Sequence, residues 1–211
     1  MRPGPVGVAV VSWFVLLVLG LALAVLAGSH ETLPGDVGIA LWVQDLPVPG
    51  QGVADFVRTV TETEVVLATG AAIALVLWLR GYRRQAVLLA VALVVMGLVS
   101  VGLKEIVDRP RPSPDLVERR AAFDSSSFPS GHVLAGTTLY GMLLYCGLTL
   151  RLPRGPRVAL ITVSTLLLIL VGPVSVWLGV HWPSDVAGSW LWALAVLLPV
   201  ILLDRLESAP G

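Results

Sequence analysis

Six apolar runs, most of them close to the length a helix needs to cross a hydrocarbon layer, set the terms for this chain. They lie at residues 6–27, 65–80, 85–107, 132–150, 158–180 and 186–203. A helix rising 1.5 Å per residue needs about 20 apolar residues to cross a bilayer core roughly 30 Å thick. The second run is short by that measure, so its helix is expected to begin before Val65. Runs of this length without alternation read as helices, not strands. Composition agrees: 56% of the 211 residues are hydrophobic and 13% are charged, where a soluble domain carries roughly a quarter charged. The expectation is an all-α integral membrane protein, a bundle of six transmembrane helices forming one domain over residues 1–211. The first run exceeds the ~7–15 residues of a signal-peptide core, which favours a retained helix. A formal net charge of zero gives no bulk attraction to nucleic acid, so none is expected as a partner. The single cysteine, Cys146, lies within an apolar run. It can form no intrachain disulfide, and it reads as a core or lipid-facing residue.

Loop charge assigns an orientation. Arg80, Arg83 and Arg84 join the second and third runs, and Arg151, Arg154 and Arg157 join the fourth and fifth. Neither loop contains an acid. The segment from Gly28 to Glu64 is the opposite, with Glu31, Asp36, Asp45, Asp55, Glu62 and Glu64 against Arg58 alone. The excess of arginine marks the cytoplasmic side. Both termini are then expected in the cytoplasm of a cell-membrane protein, with residues 28–64, 108–131 and 181–185 outside. In the first outer loop, Val53, Phe56, Val57 and Val60 recur at helical spacing. They suit a short helix that either lies on the membrane surface or packs over the bundle. Trp177 and Trp182 flank His181 at what reads as interfacial depth.

The chemistry-bearing residues fall on that outer side in three clusters. Lys104 is the sole lysine. It stands in the last turns of the third run, which Pro110 cannot continue. Alone it would read as a lysine snorkelling at a helix end. Arg111 follows among prolines, in a setting suited to fork-like contact with phosphate oxygens. The second cluster, Pro129-Ser130-Gly131-His132, opens the fourth run. A helix start presents unpaired N–H groups to an anion, serine adds a hydroxyl, and glycine lets the backbone approach closely. Taken alone it reads equally as a capped helix. In the third, Asp185 lies four residues past His181. If Pro183 opens a helix, the carboxylate can reach back and orient the imidazole; a loop histidine beside a helix-start acid is the plainer reading. There is no metal-ligand spacing, no acidic cluster and no glycine-rich phosphate loop. No metal or other cofactor is expected. Two histidines with cationic phosphate holders suffice for phosphoryl transfer: one attacks phosphorus and the other protonates the leaving oxygen.

These clusters resemble the three motifs of the type 2 phosphatidic acid phosphatase (PAP2) superfamily. The first motif is lysine, six residues, then Arg-Pro, as in Lys104 to Pro112. The second is Pro-Ser-Gly-His, as in Pro129 to His132. The third is Ser-Arg, five residues, His, three residues, Asp, and its latter part matches Leu178 to Asp185. The motif-bearing core spans about 85–203. The resemblance implies a PAP2/haloperoxidase-like helical core and a metal-independent hydrolase that removes phosphate from a lipid phosphate or diphosphate at the extracytoplasmic face. It implies His181 as nucleophile through a phosphohistidine, Asp185 as its orienting partner and His132 as proton donor. Lys104, Arg111, Ser130 and Gly131 would hold the phosphate. Polyprenyl diphosphates such as undecaprenyl diphosphate, phosphatidic acid and phosphatidylglycerol phosphate are the substrates it suggests. One departure stands out. Where the family has Ser-Arg, this chain has Val174-Ser175, so a phosphate-binding cation is missing. Arg109, Arg119 and Arg120 are the candidate replacements. The same departure keeps two alternatives open: a weakened lipid-phosphate binding or regulatory protein, and a lipid phosphotransferase.

Overall fold

The computed structural model describes residues 4–46, 50–123 and 125–208, and eight helices make up its secondary structure. They are α1 (Pro5–Ser29), α2 (Asp36–Asp45), α3 (Gly50–Thr61), α4 (Thr63–Leu79), α5 (Arg83–Val107), α6 (Gly131–Thr149), α7 (Arg154–Trp177) and α8 (Pro183–Ser208). Among the described residues, α1, α5, α7 and α8 are each long and apolar enough to cross a membrane. α3 and α4 together make a fifth such element, bent by 58° at their junction. The apolar run expected to start before Val65 therefore begins at Thr63, and α3 precedes it around a sharp corner.

α6 occupies the middle of the bundle. It packs against α3, α4, α5, α7 and α8, while α1 lies outside against α8 and α5. Leu134, Leu139 and Met142 of α6 are fully buried, and so is Thr138, whose hydroxyl donates to the Leu134 carbonyl. A helix surrounded by other helices need not be apolar all round, which explains why its sequence is richer in Gly and Thr than its neighbours. Close approach is built in at Gly136, where a Cβ would sit 2.8 Å from the Thr61 methyl of α3. Small residues at such crossings let helices gain the van der Waals contact that holds membrane bundles together.

One open choice is settled and one expectation is revised. α3 packs on α6 and α7, with Ala54, Val57 and Thr61 buried, whereas Val53 and Phe56 face outward. The choice between surface helix and packed helix resolves to packing, with the inward stripe turned toward Ala54 and Thr61. Trp182 is only 2% exposed and is among the largest fully buried side chains. It belongs to the core and is no interfacial anchor. α2 was not legible as a helix in the acidic loop.

Candidate active site

The three clusters converge where α5, α6 and α8 begin or end on one side of the bundle. α5 stops at Val107, and Asp108 closes it in the left-handed conformation with φ 40°. That turn sends Arg109 inward and lets Arg111 return toward His181. α6 begins with Ser130 as its N-cap, whose hydroxyl accepts weakly from the Val133 amide at 3.5 Å. The last turn of α5 meets this start: a Cβ on Gly131 would lie 3.6 Å from Lys104 Nζ. Lysine ammonium, Gly131 backbone and the open helix start thus face one small volume, a setting for an anion.

His181 sits between α7 and α8 and is 2% exposed. Its Nδ1 is 2.9 Å from the Ser127 carbonyl oxygen and 3.8 Å from Asp185 Oδ2. Only the first is hydrogen-bond distance. The Ser127 carbonyl accepts, so Nδ1 carries the proton and Nε2 keeps its lone pair. Arg111 Nη1, a donor by nature, lies 3.2 Å from that Nε2. Burial holds the imidazole below its ordinary histidine value; Arg111 and Lys104 push the same way, while Asp185 opposes them. That direction favours the neutral ring, whose Nε2 lone pair accepts from Arg111.

Asp185 stands 3.8 Å from the imidazole and has nearer partners. Its carboxylate accepts from Arg109 Nη1 at 2.6 Å, from the Trp182 amide at 2.8 Å and from the Ser127 hydroxyl. It reaches the imidazole through Ser127, whose hydroxyl it holds and whose carbonyl holds the ring. Arg109 is fully buried behind the site and bridges Asp185 to Asp36 of α2 at 2.8 Å. Asp36 in turn accepts from the amide and hydroxyl of Ser184. This lattice of Asp36, Arg109, Ser127 and Ser184 escaped sequence reasoning. The one available signal was Arg109 beside Arg111 in the first motif.

His132 lies in the first turn of α6. Its ring meets Phe123 edge-on at 5.6 Å, and its Nε2 is buried with no hydrogen-bond partner among the described residues. Buried polar atoms are rarely left so. Through Phe123 the ring neighbours two cations, Arg58 and Arg111, which lie 4.4 and 4.6 Å from the Phe123 ring centre. Beside Arg111, an open cleft of about 420 Å³ is lined by Arg119, Phe123, Ser125 and Ser126 among others. Lys104 and Arg111 both contact the Ser125 hydroxyl, at 3.4 and 3.1 Å. No group of three or more potential metal ligands occurs among the described residues.

Of the three candidate replacements for the missing arginine, Arg109 is committed to the two carboxylates. Arg120 lies over Trp177 at 4.0 Å and pairs with Glu118. Arg119 borders the open cleft, whose lining contains neither histidine. Ser175 itself is buried and donates its hydroxyl to the Val171 carbonyl of its own helix.

Comparison with known proteins decides the family. The PAP2 superfamily model matches residues 85–207, more than half of the chain. The chain belongs to the PAP2 superfamily. That is the phosphatase family its motifs resemble, and the matched stretch contains all three clusters. The fold of this PAP2 protein is similar to the crystal structure of the first transmembrane PAP2 type phosphatidylglycerolphosphate phosphatase from Bacillus subtilis. The TM-score is 0.75 at 22% identity, covering 92% of this chain and 96% of that one. It is also similar to LpxE from Aquifex aeolicus, with a TM-score of 0.55 at 19% identity, covering 82% and 98%. Among curated proteins no sequence matches.

Proposed function

We propose that this PAP2 protein is a metal-independent lipid phosphate or diphosphate phosphatase that works through a phosphohistidine at the outer face of the membrane. The observation that carries the reading is the pairing at His181: Nδ1–H held by the Ser127 carbonyl and Nε2 left with its lone pair beside Arg111. In the reaction, Nε2 attacks phosphorus and the bond from phosphorus to the lipid oxygen breaks. His132 gives that oxygen its proton. It then takes a proton from water as the water oxygen attacks phosphorus, the P–N bond breaks, and inorganic phosphate leaves. Lys104, Arg111, the Ser130 hydroxyl and the Gly131 amide hold the equatorial oxygens, where transition-state charge is largest. Arg58 shares a cavity with His132, and Arg111 stacks on the Phe123 ring that His132 meets edge-on. A bound phosphate brings the negative charge that offsets these two cations.

The same proposal includes six membrane crossings, with α6 as the crossing that its neighbours shield from lipid. Loop arginines support cytoplasmic termini and an extracytoplasmic site. The phosphate chemistry reads the headgroup, so phosphatidylglycerol phosphate, phosphatidic acid and polyprenyl diphosphate all remain substrates to assay. Purified protein in detergent with excess chelator is expected to release inorganic phosphate from at least one of these. His181→Ala is expected to abolish that release, and retained release refutes the assigned nucleophile. Ser175 favours a second reading, a lipid-phosphate binding protein without turnover. That protein would bind vanadate and release nothing. A phosphotransferase would instead pass label to a lipid or sugar acceptor with little free phosphate.

A further inference from the structure

Ser175 leaves the third motif without its cation, yet the space it borders is not without one. A narrow cavity is lined by Ser175, Val171 and Val174 from α7, by His132 from α6, by Phe123, and by Arg58 from α3. Its free volume of about 10 Å³ admits roughly one water. Arg58 enters this cavity from the helix facing Ser175. Its guanidinium lies 4.4 Å from the Phe123 ring centre, and Arg111 lies 4.6 Å from the same centre. Phe123 in turn packs edge-on to His132. One aromatic ring therefore holds two arginines beside the proton-donor histidine.

Three observations set Arg58 apart from the other arginines of the outer side. It shares a cavity with both His132 and Ser175, which Arg119 does not. Its guanidinium stacks on Phe123, the ring that packs edge-on against His132. Its guanidinium makes no hydrogen bond or ion pair among the described residues, so its N–H donors are not committed as those of Arg109 and Arg120 are. Arginine stacked on an aromatic face keeps its in-plane donors available for oxygen. The packing of α3 is what delivers it: Val57 and Thr61 are buried on either side in sequence, and Gly136 admits Thr61 against α6.

Resting on the phosphatase reading above, we propose that Arg58 of α3 supplies the phosphate-binding cation that the third motif lacks at Ser175. The charge has moved from α7 to the helix opposite while serving the same oxygens. Arginine on α3 and serine on α7 are then one exchange, and the small side chain at 175 leaves Arg58 its space.

The test uses the full-length protein in detergent with four variants: Arg58→Ala, Arg58→Lys, Ser175→Arg, and Arg58→Ala combined with Ser175→Arg. Two quantities are read: kcat/KM for phosphate release from the best lipid phosphate, and equilibrium binding of orthovanadate. Arg58→Ala is expected to lose about 10²–10³-fold in kcat/KM, the range for removing one contact to a transition-state oxyanion. Vanadate binding should weaken alongside. Arg58→Lys should fall between, because it keeps charge without the fork. The double variant should regain at least about tenfold over Arg58→Ala, since its arginine returns to the motif position; a purely structural role for Arg58 predicts no such recovery. Arg58→Ala within threefold of wild type in both readouts overturns the proposal. So does a double variant no better than Arg58→Ala. If Arg58→Ala does not fold, Arg58→Lys decides: wild-type kcat/KM and vanadate binding in that variant also overturn it. A wild type that binds vanadate and turns nothing over sinks the phosphatase reading instead, and the vanadate series then tests Arg58 alone.

Discussion

At His181 a single proton decides whether the ring can attack, and its neighbours fix where that proton resides. The Ser127 carbonyl accepts a hydrogen bond from Nδ1–H, while Arg111 faces Nε2. Burial, the first cause of the lowered value, disfavours the charged ring. A lowered value keeps the imidazole neutral as pH falls through the ordinary histidine range. Ring-nitrogen NMR of labelled histidine should therefore show a midpoint below about 6.5 for His181. A midpoint at or above that value contradicts the account. Asp185 supplies a second test at this scale. Were its carboxylate the direct partner of Nδ1, Asp185→Asn would cost about 10⁴ in kcat by exchanging the tautomer. Because Ser127 stands between them, the expected loss is about 10–100-fold, typical of a supporting contact. Steady-state kinetics of Asp185→Asn separate the two. His132, His181, Lys104 and Arg111 were legible as site candidates because histidine and lysine are rare here and their spacing is distinctive. Ser127 was not legible, since its contribution is a backbone carbonyl and a hydroxyl that no side-chain pattern announces. Arg58 was hidden for a related reason: it is 46 residues upstream of the first motif, and only the packing of α3 brings it to His132.

At the scale of elements, buried charge binds the motif-bearing ends of the helices together. Arg109 ties the segment after α5 to Asp36 of α2 and Asp185 of α8. Removing one member of such a set leaves uncompensated buried charge and costs roughly 3–5 kcal/mol. Arg109→Ala is therefore expected to unfold at markedly lower temperature in detergent, with two carboxylates stranded. An unchanged melting temperature would show that the lattice is not needed. The α7–α8 turn carries a different constraint. Gly179 has φ +66°, and a Cβ there would lie 2.1 Å from the Glu118 carbonyl oxygen. Glu118 is held in place by Gln44 of α2, which also donates to the Trp177 carbonyl. Gly179→Ala combines a left-handed strain with a backbone collision. It should destabilise the turn by more than ~1 kcal/mol and lower kcat by displacing His181 two residues on. The long helices were legible because hydrophobic runs declare them. α2 was not: its ten residues mix Asp36, Gly38 and Gln44 with apolar side chains, and tertiary pairing of Asp36 and Gln44 anchors it. The 58° corner between α3 and α4 was equally silent, because Thr61, Glu62, Thr63 and Glu64 read as an ordinary polar loop before the apolar run.

For the whole molecule, the account requires all three motif clusters to face the same side of the bilayer, opposite the arginine-rich loops. With Cys146→Ala as background, Pro114→Cys should react with a membrane-impermeant maleimide on intact cells. Arg151→Cys should react only after permeabilisation. The reverse pattern would invert the topology. Loop charge is the sequence feature that supports this orientation, whereas the motifs carry no mark of a lipid tail. The central claim is that phosphorus passes through His181. Rapid quenching of a reaction with phosphorus-labelled lipid phosphate tests it most directly. The account predicts an acid-labile, alkali-stable phosphoryl label on the wild-type protein, mapping to His181 and absent from His181→Ala. Label that persists in His181→Ala, or that maps to another residue, would contradict it.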